Sequence, residues 1–306
     1  MTKSPRLPRF LSLVAVSALI LSGCGGASPV ASANDAFVVN GTSFALDTFE
    51  TLLDDLVKNQ QIEAGPNNQV SKESAVSVLR TLIRFEAYKQ YLVENDLTED
   101  PADRKKLLEQ SAADAAFATL PDYLQELLVN LSVAQTTMSK FKAPTAAQLE
   151  KLYNDMPAST GVLCLSHILV KTEDEAIAVL KELSDGAKFE DVARKKSIEP
   201  NAKESGGALE TADQPCTELA YFQQQFDPDF MTGAVAAKAG VPTGPIKTQF
   251  GFHVILNRPY DTIKDSLTQV AANQPSVSNI VGFTAAADIS VNSKYGVWNG
   301  AMATLK

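Results

Sequence analysis

The chain has 306 residues, with 36 Asp and Glu against 27 Lys and Arg and a formal net charge of −9. An acidic balance of this size argues against nucleic acid and against an anionic membrane surface as partners. The length allows roughly two domains.

The N-terminus bears on where the protein works. Lys3, Arg6 and Arg9 precede an apolar run over 10–21 that is too short to span a bilayer comfortably, and small residues follow it. That is the pattern of an export signal. Leu21-Ser22-Gly23-Cys24 resembles the bacterial lipobox. The resemblance implies cleavage after residue 23, acylation of Cys24, and a chain held to the membrane by lipid through that cysteine. Residues 24–35 read as a polar tether. Removing 1–23 takes away three basic residues and no acidic one, so the mature balance is about −12. No later segment is apolar enough to cross a membrane, and a soluble body outside the cytoplasm is expected. With Cys24 lipidated, Cys164 and Cys216 remain, an even count in a compartment that permits disulfides. A bridge and two separate thiols both stay open.

Residues 36–44 read as a strand, an Asn40-Gly41 turn and a returning strand. A helix is expected over 47–59, with Phe49, Leu52, Leu53 and Leu56 on one face, and a second over 72–94. A third runs from the Asp100-Pro101 cap to Leu120, and a fourth spans 123–141. Thr145 and Gln148 form a capping box for a short helix ending near Asn154. None of these helices carries a cluster of His, Cys or carboxylates suited to a metal or to catalysis. Residues 36–155 are therefore read as a helical domain whose apolar stripes are mostly core.

From Gly161 the periodicity changes to that of a strand, with Leu163, Leu165, His167 and Leu169 on one face. A capping box at Thr172 and Glu175 opens a helix, a short helix follows over 189–196, and Ser197-Ile198-Glu199-Pro200 is a turn. A glycine-led short strand is read over 206–210 and a helix over 229–238. Strands over 244–249 and 252–257 are joined at Phe250-Gly251, too closely for a crossover. An antiparallel sheet with helices packed around it is the economical solution. In the tail, a helix holds Ile263, Leu267 and Val270, Gln274-Pro275-Ser276 reads as a loop, and a strand lies within 287–298. This tail either packs back on the helical domain or forms a loosely ordered arm.

Four stretches then come together. Ser166-His167-Ile168-Leu169-Val170-Lys171, Phe189-Glu190-Asp191-Val192-Ala193, Gly206-Gly207 with Leu209, and the run from Gly244-Pro245 to His253-Val254-Ile255 follow one another in a characteristic order and spacing. They resemble a parvulin-type peptidyl-prolyl isomerase domain over 161–260. The wider layout resembles the extracytoplasmic foldases of the SurA and PrsA type. Together the resemblances imply an α+β fold: a mostly helical, chaperone-like N-terminal domain over 36–155, then a parvulin domain whose four-stranded antiparallel sheet is surrounded by helices. The tail over 261–306 is expected to join the helical domain in some members.

The chemistry implied is non-covalent. An X-Pro bond isomerises over a barrier of about 18–20 kcal/mol, and an enzyme need only bind the twisted amide better than either planar form. By resemblance, Leu209, Phe226 and Phe230 form the apolar proline pocket, with Phe226 standing where methionine is common. His167 and His253 match the family's two central histidines and Thr248 the hydroxyl residue near them. Two neutral imidazoles and a hydroxyl can share a hydrogen-bond network that sets the shape and polarity of the site. Glu199 falls where the family carries Asp or Cys near the substrate carbonyl and can act electrostatically. Ser166 beside His167 is no catalytic dyad, because adjacent strand residues point to opposite faces. Two histidines without paired cysteines do not complete a zinc site, so no metal and no cofactor are expected. Lys171 matches a phosphate-binding position of phospho-specific members, but Thr172-Glu173-Asp174-Glu175 follows it, so no preference for phosphorylated substrates is expected. Gly206-Gly207-Ala208-Leu209-Glu210 and Ala234-Val235-Ala236-Ala237 depart from the family pattern.

Two functions follow from this reading. One is a lipid-anchored extracytoplasmic foldase that isomerises X-Pro bonds in unfolded exported proteins. The other is a holdase in which the parvulin unit is a degenerate scaffold.

Overall fold

The computed structural model describes residues 31–65, 69–209 and 214–305. The export signal, Cys24, most of the tether and Glu210 lie outside the described residues.

Strand β1 (Asp35–Val39) turns through Asn40 and Gly41, both at positive φ, into β2 (Thr42–Ala45). Helix α1 (Leu46–Lys58) buries Phe49, Leu52, Leu53 and Leu56, the expected face. Helix α2 (Lys72–Glu94) starts at Ser71, whose side chain accepts the Ser74 N–H. The helix expected from Asp100 to Leu120 is instead two, α3 (Pro101–Ala112) and α4 (Ala115–Ala118). Asp114 explains the break: its carboxylate accepts the Ala116 N–H, ending one helix by capping the next. Helix α5 (Asp122–Met138) and α6 (Ala146–Asp155) follow, the latter opened by the Thr145–Gln148 capping box. A 3-10 turn (Pro157–Thr160) leads into β3 (Val162–Leu163) and β4 (Leu165–Val170).

Next come α7 (Glu173–Ser184), α8 (Phe189–Lys196) and the single turn α9 (Ala202–Ser205). Strand β5 (Thr217–Glu218) pairs with β3 and runs into α10 (Leu219–Gln225), a helix that the sequence reading did not find. Helix α11 (Pro228–Ala236), β6 (Thr243–Thr248) and β7 (Gly251–Asn257) complete the unit. The principal sheet has the order β4-β7-β6, all antiparallel.

The expected fourth strand over 206–210 is reduced to a single bridge between Ala208 and Ser166. Backbone bonds from His167 N to Gly207 O and from Leu209 N to Leu165 O still hold the segment alongside β4. Gly206 and Gly207 both have positive φ, so this stretch cannot run as a regular ladder. At Gly207 a Cβ would stand 2.5 Å from the His167 carbonyl oxygen, and only glycine lets the loop approach so near the site strand.

The tail packs on the helical part. Helix α12 (Lys264–Asn273) buries Leu267, Val270 and Ala271, and α13 (Pro275–Ala286) follows directly, with Pro275 at its first position rather than in a loop. Strand β8 (Ile289–Val291) adds to β1 with Phe37 opposite Val291, and β9 (Trp298–Asn299) pairs with β10 (Thr304–Leu305). Tyr295 joins Phe37, Phe49, Leu79, Ile83 and Leu124 in one core. Helix α13 also touches the other part of the chain: a Cβ on Gly161 would lie 2.0 Å from Ser278 O, and one on Gly282 would lie 2.3 Å from Ser159 O. These two glycines let the helix and the 3-10 turn meet backbone to backbone. A separate cluster brings Leu149 and Tyr153 of α6 together with Val162, Cys164, Cys216 and the buried face of α12. Among the described residues no helix is long and apolar enough to cross a membrane.

Candidate active site

The register of β4 on β7 sets His167 opposite Ile255 and His253 opposite Leu169, so the two imidazoles are diagonal neighbours on one face of the sheet. Their rings lie 5.4 Å apart, nearly parallel at 16°, with Nδ1 of one 3.2 Å from Nδ1 of the other. Strand β6 places Thr248 on the same face, its Oγ1 2.9 Å from Nε2 of His253. Phe230 presents its ring at 87° to His167 and 77° to His253, closing the pair from the α11 side. Both histidines are 5 % exposed and Phe230 is 2 % exposed.

Burial pushes both imidazoles down to about 4, and at His167 the neighbouring His253 adds to the effect. At His253 the carboxylate of Asp227 acts in the opposite direction, and burial outweighs it. Both rings are therefore neutral at neutral pH, so in the Nδ1–Nδ1 contact one ring donates and the other accepts. Nε2 of His167 faces the Glu199 carboxylate at 3.8 Å, too far for a hydrogen bond but near enough to favour a proton on that nitrogen. That choice fixes the rest of the network. His167 Nδ1 accepts from His253 Nδ1–H, and His253 Nε2 accepts from the Thr248 hydroxyl. The Thr248 oxygen in turn accepts the Phe250 N–H at 3.2 Å. Each polar atom in this chain has a neighbour of the right sense, as a buried network requires.

Beside the histidines, Phe226 stacks on Phe230 at 5.2 Å and 29°, and Phe222 backs Phe226 at 5.1 Å. Leu209, Phe226 and Ile246 are partly buried around Phe230 in the same cluster, so the three residues expected to grip proline lie together. Glu199 is carried by a turn laced to β4: Ser197 Oγ accepts the Leu169 and Glu199 N–H groups, and Ile198 N–H donates to Leu169 O. This arrangement can hold an apolar ring against Phe230, exclude water from it, and present a carboxylate and polarised imidazoles to an adjoining amide.

Three contributors escaped the sequence reading. Asp227 caps α11 by accepting the Asp229 and Phe230 N–H groups, which sets Phe230 at the start of the helix. Asn257, fully buried, donates through Nδ2 to the Ala234 and Ala237 carbonyls and ties the end of α11 to β7. An amide ending the apolar run Val254-Ile255-Leu256, in the same alternation as His253, was the available signal for it. Ile246 lies against Gly233, where a Cβ would stand 2.7 Å from Ile246 Cγ1.

Cys164 and Cys216 form a disulfide with Cα atoms 4.1 Å apart, both side chains fully buried. It joins the residue just ahead of β4 to the residue just ahead of β5, and so to the helix that carries Phe222.

The rotamase family of PPIC-type PPIase domains matches residues 167–258. The foldase protein PrsA of Clostridium kluyveri is 31% identical over 215 residues, covering 67% of this chain and 59% of the relative. That of Clostridium botulinum strain Okra is 32% identical over 179 residues, covering 54% and 51%. The chain thus spans between about half and six tenths of the length of the curated relatives it matches. The crystal structure of PrsA from Bacillus subtilis is 24% identical over 72% of this chain and 92% of that one, with a TM-score of 0.29, too low to carry an argument. The motif order, the paired histidines beside an aromatic wall and the family match agree: residues 167–258 belong to the parvulin, or PPIC-type, peptidyl-prolyl isomerases, within a chain similar to PrsA foldases.

Proposed function

We propose that this protein is an extracytoplasmic foldase, anchored by lipid at Cys24, that isomerises X-Pro bonds in unfolded exported polypeptides. The observation that carries the reading is the closed network of His167, His253 and Thr248 against Phe230. It supplies a dry, apolar seat for proline and no nucleophile aimed at the amide. Leu209, Phe226 and Phe230 hold the pyrrolidine ring, Glu199 acts on the carbonyl as it rotates, and the histidines with Thr248 hold the shape of the site. The twisted amide has lost resonance, its nitrogen is more basic and its carbonyl less polarised, and a water-poor pocket favours it over the planar forms.

The decisive measurement is exchange between cis and trans X-Pro peptides followed by NMR, with wild type and Phe230→Ala. Wild type is expected to raise the exchange rate and Phe230→Ala to lose about tenfold or more of that gain. No rate above background in wild type, on several X-Pro sequences, overturns the isomerase reading.

A holdase reading has its own support in a cleft of about 840 Å³ away from the isomerase site, between α2, α6 and α13, where Tyr91, Phe141 and Phe283 are partly exposed. Suppression of client aggregation by a variant without isomerase activity is the measurement that favours it.

A further inference from the structure

The Glu199 carboxylate is 39% exposed and faces Nε2 of His167. Among the described residues no Lys or Arg nitrogen comes within 4.0 Å of it. Two cations of the unit are directed elsewhere. The Arg194 guanidinium donates to the Lys203 and Glu204 carbonyls. Lys247 pairs with Phe252, whose position in the alternation puts it on the opposite face of the sheet from His253. His167 is neutral at neutral pH and supplies no compensating charge. A second carboxylate, Asp227, sits in the segment between Phe226 and Phe230 and acts electrostatically on His253. The rim of the proline seat therefore carries two carboxylates, and among the described residues no Lys or Arg nitrogen lies within 4.0 Å of the one on the His167 side.

A substrate with proline on Phe230 brings the Cα of its neighbouring residue about 3.8 Å from that of the proline. A lysine or arginine there, with its long flexible stem, reaches the rim and meets an opposite charge at a partly water-excluded site. An aspartate or glutamate at the same place meets repulsion. We propose that Glu199 makes this site selective for basic polypeptide segments, in which lysine or arginine flanks the proline. The inference rests on the proline-binding reading above and adds the substrate class. It gives Glu199 a role in choosing substrate that is separable from any effect on the rotating carbonyl.

The test is a peptide series Ala-X-Pro-Phe with X as Lys, Leu or Glu, read for exchange rate and, by NMR shift titration, for binding to the whole chain. Wild type is expected to prefer X as Lys over Glu by about tenfold in kcat/KM at low ionic strength, the gap narrowing as salt approaches about 0.5 M. Glu199→Gln is expected to collapse that ratio, and Glu199→Lys to invert it. Equal values for Lys and Glu in wild type overturn the proposal. So does a ratio that survives in Glu199→Gln, even when that variant slows every peptide alike. If no peptide is turned over, the isomerase reading fails, while binding still decides this one. A Lys-over-Glu preference in affinity that is lost in Glu199→Gln supports it, and equal affinities overturn it.

Discussion

The two faces of the β4–β7 pair are built from the same strands and serve opposite ends. One face sets Ile168 beside Val254, Val170 beside Phe252 and Leu256 near Val192, under the aliphatic stripes of α7 and α8. The other alternates apolar and polar residues, Leu165, His167 and Ile255 with His253 and Asn257, under the aromatic residues of α10 and α11. On the first face apolar burial does most of the holding, with an ion pair between Lys196 and Glu182 joining the two helices. On the second, each buried polar atom is useful only while its partner is in place, so that face trades stability for a defined shape and polarity.

The largest effect expected is on the aliphatic face. Ile168→Ala removes a fully buried side chain from between α7, α8 and the sheet, and it should destabilise by about 2–5 kcal/mol. Urea unfolding measures that loss. The isomerisation rate per folded molecule should stay within a few-fold of wild type, because the network of His167, His253 and Thr248 is untouched. A rate loss as large as that of Phe230→Ala, with stability corrected for, would show that the two faces are not separable.

How far the sequence discloses these two faces depends on what kind of signal each residue leaves. Alternation in β4 and the capping boxes at Thr145 and Thr172 are local, and the structure follows them closely. The breaks in the reading are also physical. Asp114 redirects a helix through one side-chain hydrogen bond, Pro275 opens α13 where proline suggested a loop, and paired positive φ at Gly206 and Gly207 reduces a strand to a bridge. That His167, His253, Thr248, Leu209, Phe226 and Phe230 lie together was legible through their order in the chain. Asp227 was not, because a helix cap acts through backbone groups that no motif names, and Asn257 left only its place in the alternation of β7 as a signal.

An effect of comparable size distinguishes the faces by pH. The folded values of His167 and His253, about 4, lie below the ordinary 6.5 of an unfolded histidine. Between those limits the unfolded chain binds more protons than the folded one, so stability rises with pH there. The contribution is complete above about 6.5 and is lost as pH falls toward 4, at up to about 1.4 kcal/mol per pH unit for each histidine. Urea unfolding from pH 7 to pH 4.5 should therefore show a steeper acid loss in wild type than in a His167→Gln/His253→Gln variant. Parallel curves would mean that the imidazoles are not held neutral by burial.

The smallest effect concerns one hydroxyl. Thr248→Val keeps the side-chain shape and removes the donor to His253 Nε2, leaving that nitrogen without its partner in a buried place. The expected loss is about 1–3 kcal/mol, the penalty for an unsatisfied buried acceptor. The polar face predicts a second consequence that the aliphatic face does not share. Glu199 still favours the proton on His167 Nε2, so His253 keeps its proton on Nδ1 and its Nε2 stays an acceptor without a donor. The tautomers are readable from the ring 15N shifts of selectively labelled protein. Unchanged tautomers at both histidines in Thr248→Val, with the aliphatic-face methyl resonances unmoved, are the expected result. A reversal at both histidines would show that Thr248, rather than Glu199, sets the sense of the chain.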